Sequence, residues 1–234
     1  MSQPTIQSTP DCGQSRNAPA EDRTHLWRRR LFEGEAGLTR FVVDERAGAH
    51  LEELLTVKQA IFDGLPDDDS EEAAWKAAFF HAQALMEAFV VNTFGYAELS
   101  RWAASNSAVY ASVDASPKHS AFVPLERLND QAALYDSDTT WIEHDEERAE
   151  LNIRHCAIWD YREKARQRGV TLTLDAPCEY CVPATTAMIT NKGLNASHEL
   201  TSDEGGHGCV WTSSRTPIEN PRSLPPDSQK HPSP

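Results

Sequence analysis

Between His155 and Trp211 the chain carries His155-Cys156, Cys178-Glu179-Tyr180-Cys181 and His207-Gly208-Cys209, and with them four of its five cysteines. Thiols grouped in this way support three chemistries and one bland alternative. A thiol whose pKa is lowered by a cation, a helix N-terminus or a metal becomes a nucleophile, with a His or Glu as its proton partner. Cys156, Cys178, Cys181 and Cys209 could instead close a tetrahedral zinc site, Cys178 and Cys181 forming one knuckle of it. The Cys-x-x-Cys pair could cycle as a redox couple, although no βαβ pattern surrounds it. Finally, all four could pack as small hydrophobes. The stretch marks a site and leaves these readings open.

The elements that must position these residues are visible in the hydrophobic periodicity. Arg40 to Phe62 repeats apolar residues at steps of three and four and predicts an amphipathic helix. Ser70-Glu71-Glu72 looks like a helix start, and the helix runs to Thr93 or Phe94, apolar nearly all round. Two polar lines cross it. Lys76, Gln83 and Glu87 form one, His81 and Asn92 the other. Each line either faces a pocket, making Glu87 and Asn92 ligand-binding residues, or sits satisfied at the edge of the core. After Gly95 another helix covers Tyr96 to Tyr110. Pro117 to Pro124 reads as a loop, and Leu125 to Leu134 as a short helix.

The period then changes. Thr139–Asp145 and Glu150–Ile158 alternate and predict a hairpin, with Leu151, Ile153 and His155 on one side and Asn152, Arg154 and Cys156 on the other. Trp159 to Arg168 is a helix ended by Gly169. Thr171 to Leu174 reads as a short extended piece. A second helix follows Pro177 and is regular from about Val182, because Pro183 interrupts its start. Asn195–Thr201 and Cys209–Ser214 make a second hairpin. The expected fold class is α+β: N-terminal helices packed on a small antiparallel sheet built from two hairpins with intervening helices. Sequential hairpins lie side by side, so the four cysteines are expected to meet where the hairpins adjoin the helix after Pro177.

Composition sets the outer limits. The chain has 234 residues, 39% of them hydrophobic, and a formal net charge of −14. Residues 1–25 and the Pro/Ser-rich tail 216–234 are too polar to offset their ordering entropy and are expected to be disordered, leaving one domain over 26–215. Cys12 falls in the first of these ends. An acidic chain repels phosphate backbones and anionic lipid, so nucleic acid and membrane are not expected partners. The short basic run Arg28-Arg29-Arg30 reads as a solvated flank. With no apolar span and no secretory signal, the expectation is a cytoplasmic protein whose cysteines are thiols. Its partner is then a small-molecule substrate, with a homo-oligomer also compatible. Zinc is the one cofactor that the residues suggest.

Taken together, Ile153-Arg154-His155-Cys156 before a helix ending at Gly169, then Cys178-Glu179-Tyr180-Cys181, then Gly208-Cys209-Val210-Trp211 resemble the L-2-amino-thiazoline-4-carboxylic acid hydrolase family. The upstream stretch from Leu85 to Gly95, followed by Trp102, looks like the helix that precedes this region in such proteins. The resemblance spans about Trp75 to Ser214. It implies hydrolytic opening of a C–N bond in a small cyclic amidine-like heterocycle. In the namesake reaction a thiazoline ring opens to an S-carbamoyl cysteine. The ring carbon between S and N would be attacked by a Cys thiolate or a metal-bound hydroxide. Glu179, His207 or His155 would protonate the leaving nitrogen, and Arg154 would hold the substrate carboxylate. A different reading from the same residues is a small-molecule-binding or sensor domain that turns nothing over, with the cysteines as a structural zinc cluster.

Overall fold

The computed structural model describes residues 20–113, 120–203 and 206–218. Among them the chain forms α1 (Ala20–Arg40), a π-helical turn (Phe41–Glu45), α2 (Leu51–Asp63), α3 (Glu72–Phe94), α4 (Leu99–Val113) and α5 (Phe122–Leu134). Then come β1 (Asp138–His144), β2 (Arg148–His155), α6 (Ala157–Gln167), α7 (Cys178–Thr190), β3 (Asn195–Asp203) and β4 (Gly206–Ser214). The strands form one antiparallel sheet in the order β1-β2-β4-β3. Two hairpins therefore lie side by side, joined through β2 and β4, and the α+β class is the one the sequence implies.

The N-terminal helices build one core. Trp27, Leu31 and Leu38 of α1 pack with Trp75, Phe79, Met86 and Val90 of α3 and Trp102 of α4, all nearly or wholly buried. Burying side chains of this size is the main stabilising term here, about 1.5–3 kcal/mol for each large aliphatic or aromatic group. A second core lies on the sheet. Ala149, Leu151 and Ile153 of β2 and Trp211 of β4 face Leu125, Leu128 and Ala132 of α5 and Ile189 of α7. Alternation puts these strand residues on one face, since Leu151 pairs with Trp211 and Ile153 with Cys209.

Several boundaries differ from the sequence reading, each for a physical reason. The long helix α1 begins at Ala20, inside the stretch expected to be disordered, and Arg23 within it bonds Glu72, Asp136 and the carbonyls of Ala133 and Leu134. Its many charged residues hide a narrow apolar stripe. The single helix expected over Arg40–Phe62 is two helices, because Ala47, Gly48 and His50 take left-handed backbone angles and turn the chain. Residues 171–174 join no strand; Leu174 is buried in the helical core and its carbonyl accepts from Arg162. Helix α7 is regular from Cys178 with Pro183 inside it. Helix α5 starts at Phe122, so that Pro124 stands in its first turn, where a missing N–H costs nothing. Strand β4 starts at Gly206, since the β3 pairing continues through Thr201–Gly208 and Asp203–Gly206. The terminal stretches 1–19 and 219–234, including Cys12, lie outside the described residues, as do residues 117–119 of the loop expected over 117–124.

Candidate functional site: a thiol-lined cavity at the seam of the two cores

A cavity of about 190 Å3 lies between the helical core and the sheet core. Phe79, Phe80, Gln83 and Glu87 of α3 form one wall, Leu128, Gln131 and Ala132 of α5 another, and Ile153, Cys209 and Trp211 of the sheet a third. Trp159, Tyr161 and Arg162 of α6 and Cys178, Cys181 and Thr185 of α7 complete the lining. Exposed lining residues, Leu200 of β3 and Tyr161 of α6, mark its mouth. The volume suits a one-ring ligand, since about 150 Å3 takes a benzene.

All four sequence-predicted cysteines line this cavity, and all are free thiols. The convergence follows from topology. Cys209 reaches it from β4, on the inward face with Ile153. Cys178 and Cys181 come from the first turn of α7. Cys156 follows the last residue of β2 and caps α6, with an extended backbone at φ −96° and ψ 101°. Because the strand ends at His155, Cys156 leaves the alternation that would have put it outside with Asn152 and Arg154.

Burial pushes all four thiols up. Cys181 is driven to about 12, with the neighbouring Cys156 adding to the effect of burial. Cys209 rises further, from burial and from the other three thiols. Cys156 is raised by burial, but the Ile158 and Trp159 amides at the start of α6 pull it back, although no side-chain hydrogen bond caps that helix. Cys178 is raised by burial and lowered in part by the Trp159 indole. The thiols are therefore neutral at rest. Cys156 has two backbone amides placed to favour negative charge on its sulfur, and Cys178 has one, its own.

The tetrahedral zinc site considered for these cysteines is not formed. Among the described residues no group of three or more His, Cys, Asp or Glu is arranged to hold a metal ion. The four cysteines line the cavity without forming such a group.

Glu87 is the sequence-predicted binding residue that reaches the cavity. It is buried on α3 and takes both oxygens to Arg162 Nη1, at 3.2 and 3.3 Å, while Gln83 Nε2 donates to Oε1 at 3.3 Å. Burial raises its carboxyl above the usual range; Arg162 and Gln83 act against this and Glu179 adds to it. The other sequence-predicted residues stand elsewhere. Asn92 is exposed, so the second polar line of α3 faces solvent. Arg154 is exposed at the sheet rim and pairs with Asp138 at 2.7 Å. His155 points to Asp160, 2.8 Å from its Nε2. His207 stacks on Trp159 at 4.0 Å between ring centroids, one layer behind the cavity wall, and its carbonyl accepts the Cys156 amide. Glu179 turns back to accept the Ala176 amide at 2.6 Å. Its Oε2 is buried with no partner.

Other cavity residues were not singled out by the sequence. Arg162 holds Glu87 and also donates to the Leu174 carbonyl at 2.8 Å. Its signal was its spacing: Ile158, Arg162 and Ala165 share one face of α6, so an arginine lies on the inward side. Tyr110, Tyr135 and Tyr180 form a half-buried phenol group in which Asn106 donates to the Tyr180 hydroxyl. Burial pushes Tyr180 and Tyr135 well above the usual phenol range. Arg30 is buried rather than part of a solvated flank. It follows Trp27 by three residues and so falls on the inward stripe of α1.

Comparison with known proteins returned no match: no family model, curated protein or solved structure matches this chain. Among the described residues, no helix is long and apolar enough to cross a membrane.

Proposed function

We propose that the cavity is the active site of a hydrolase that opens a C–N bond in a small cyclic amidine-like heterocycle, with Cys156 as nucleophile. The observation that carries this reading is the convergence of four thiols and a buried Glu87–Arg162 pair on one ligand-sized, aromatic-walled space. The thiazoline-type substrate comes from the sequence resemblance alone.

A thiol that is neutral at rest needs a base only at the moment of attack, and an amidine supplies one. As Cys156 Sγ bonds to the ring carbon, its proton passes to the ring nitrogen, giving a neutral tetrahedral adduct. The Ile158 and Trp159 amides favour whatever negative charge the sulfur gathers on the way. Burial raises the Glu87 carboxyl and so enlarges the share that carries a proton; from that share the proton passes to the ring nitrogen as the C–N bond breaks. This leaves a protonated thioimidate on Cys156, the ring nitrogen as a free amine and a carboxylate paired with Arg162. Water then adds to that carbon and returns a proton to Glu87. Collapse of the second adduct expels the Cys156 thiol with its proton and releases the carbamoyl product. Arg162 keeps Glu87 oriented through both steps.

Incubating the full chain with the thiazoline acid and related cyclic amidines, and following products by mass, tests the reading. Ring-opened product with wild type and its loss in Cys156→Ser is expected. No product from any of these compounds refutes it.

The raised state of every thiol favours a second reading, a domain that binds a small molecule and leaves it intact. A saturable rise in Tm with one of these heterocycles, followed by recovery of unchanged ligand, distinguishes it from turnover.

A further inference from the structure

The wall made by α1, α4 and α5 carries a charge arrangement that the thiol chemistry does not use. Glu33 of α1 is buried and meets three guanidinium groups. Its Oε1 accepts from Arg29 Nε at 2.9 Å, and its Oε2 accepts from Arg30 Nη1 at 2.8 Å and from Arg127 Nη2. Arg30 and Arg127 both line the cavity. Both Glu33 oxygens are engaged, and Arg30, only 8% exposed, still keeps a buried Nε–H without a partner. Around this point stand Arg29, Arg30 and Arg127 against Glu33 and Asp130, the last an exposed carboxylate acting on Arg30 from outside. Glu126 stands beside Asp130 on the outer side, so on the cavity side Arg30 and Arg127 share one buried carboxylate, Glu33.

A buried guanidinium donor left unpaired is costly unless something occupies it. Burial and the facing Arg30 both act against the charge on Arg127, which a nearby anion would relieve. Arg127 also lies over the Tyr110 ring at 4.2 Å, so its guanidinium is held against an aromatic wall. Phe79, Phe80 and Tyr135 supply the apolar surface beyond. We propose that Arg30 and Arg127 form an anion subsite of this cavity, taking the carboxylate of a small one-ring acid while the ring lies among the aromatic side chains. A planar carboxylate suits guanidinium N–H donors, and an aromatic-lined pocket favours a ring-borne acid over a free mineral anion. The inference rests on reading the cavity as the ligand site and is independent of turnover there.

Benzoate and its neutral isostere benzamide probe it directly, titrated calorimetrically into the full chain. Benzoate should bind saturably, and about tenfold or more tighter than benzamide, the difference expected for a charge-assisted pair. Arg30→Gln and Arg127→Gln should each abolish that preference. Arg154→Gln, at the exposed rim, should keep it. Should either Gln variant fail to fold, Arg30→Lys and Arg127→Lys retain the charge and lose the fork, and should weaken benzoate while leaving benzamide unchanged. Equal binding of the two probes, no benzoate binding, or a preference that survives in the cavity-arginine variants overturns the proposal. Turnover of a thiazoline without any benzoate preference would remove the anion subsite alone. Benzoate preference without turnover would remove the hydrolase reading alone.

Discussion

Replacing Arg162 with Met should destabilise the protein by an amount that grows with pH. Arg162 and Glu87 are 7% and 3% exposed and face each other in the cavity wall. Removing one partner of a buried pair costs about 3–5 kcal/mol when the remaining charge cannot escape. Glu87 can escape by taking a proton. Its carboxyl is already raised by burial, and without Arg162 it rises further. A carboxyl raised in the folded state binds its proton more tightly there than in the unfolded chain. Its stabilising contribution is therefore full below the unfolded pKa and is lost as pH rises through the folded one. At about pH 5, where Glu87 stays neutral in Arg162→Met, the loss should shrink to about 1–2 kcal/mol, the share of the bond to the Leu174 carbonyl and lost packing. At about pH 8 the penalty should approach the full range, at about 1.4 kcal/mol for each unit of added shift. Urea unfolding of both proteins at the two pH values measures the difference. An equal loss at both would refute the idea that Glu87 depends on Arg162 for its charge. The double change to Met at 87 and 162 should recover much of the loss, since an apolar pair leaves nothing unpaired.

Helices α1 and α4 touch at Gly37, where an added Cβ would stand 1.7 Å from Asn106 Oδ1 and 2.7 Å from its Cα. Gly37→Ala should cost at least about 3 kcal/mol in denaturant unfolding, the upper end of overpacking; a loss under about 1 kcal/mol would show that the helices part freely. Thiol labelling should be slow at neutral pH and accelerate as pH rises, with Cys156 or Cys178 reacting first and Cys209 last. Peptide mapping after timed labelling reads the order, and an early Cys209 contradicts the burial account.

Much of the scaffold was legible because it follows period and punctuation. Helix α3, the stops at Gly95 and Gly169, and both hairpins are written in apolar spacing and turn glycines. The grouping of the thiols followed from hairpin adjacency. What failed depended on long-range packing. The inward stripe of α1 is narrow and flanked by charge, so the run Arg28-Arg29-Arg30 reads as a solvated flank and no helix shows there. Arg162 and Arg127 are inward arginines, and their role appears only once Glu87 and Glu33, far away in sequence, face them. Arg154 and Asn92 have suitable chemistry for ligand binding, but strand alternation and the helix rotation turn them outward. Glu179 sits in a promising motif, yet the local Ala176 amide takes one of its oxygens.

The central claim, covalent chemistry at Cys156 inside this cavity, is tested most directly by intact-mass measurement of the full chain quenched during turnover of the thiazoline acid. The account predicts a transient adduct that maps to Cys156 and is absent from Cys156→Ser, with ring opening lost in that variant. Undiminished ring opening by Cys156→Ser, or an adduct that maps to Cys178, Cys181 or Cys209 instead, would contradict it.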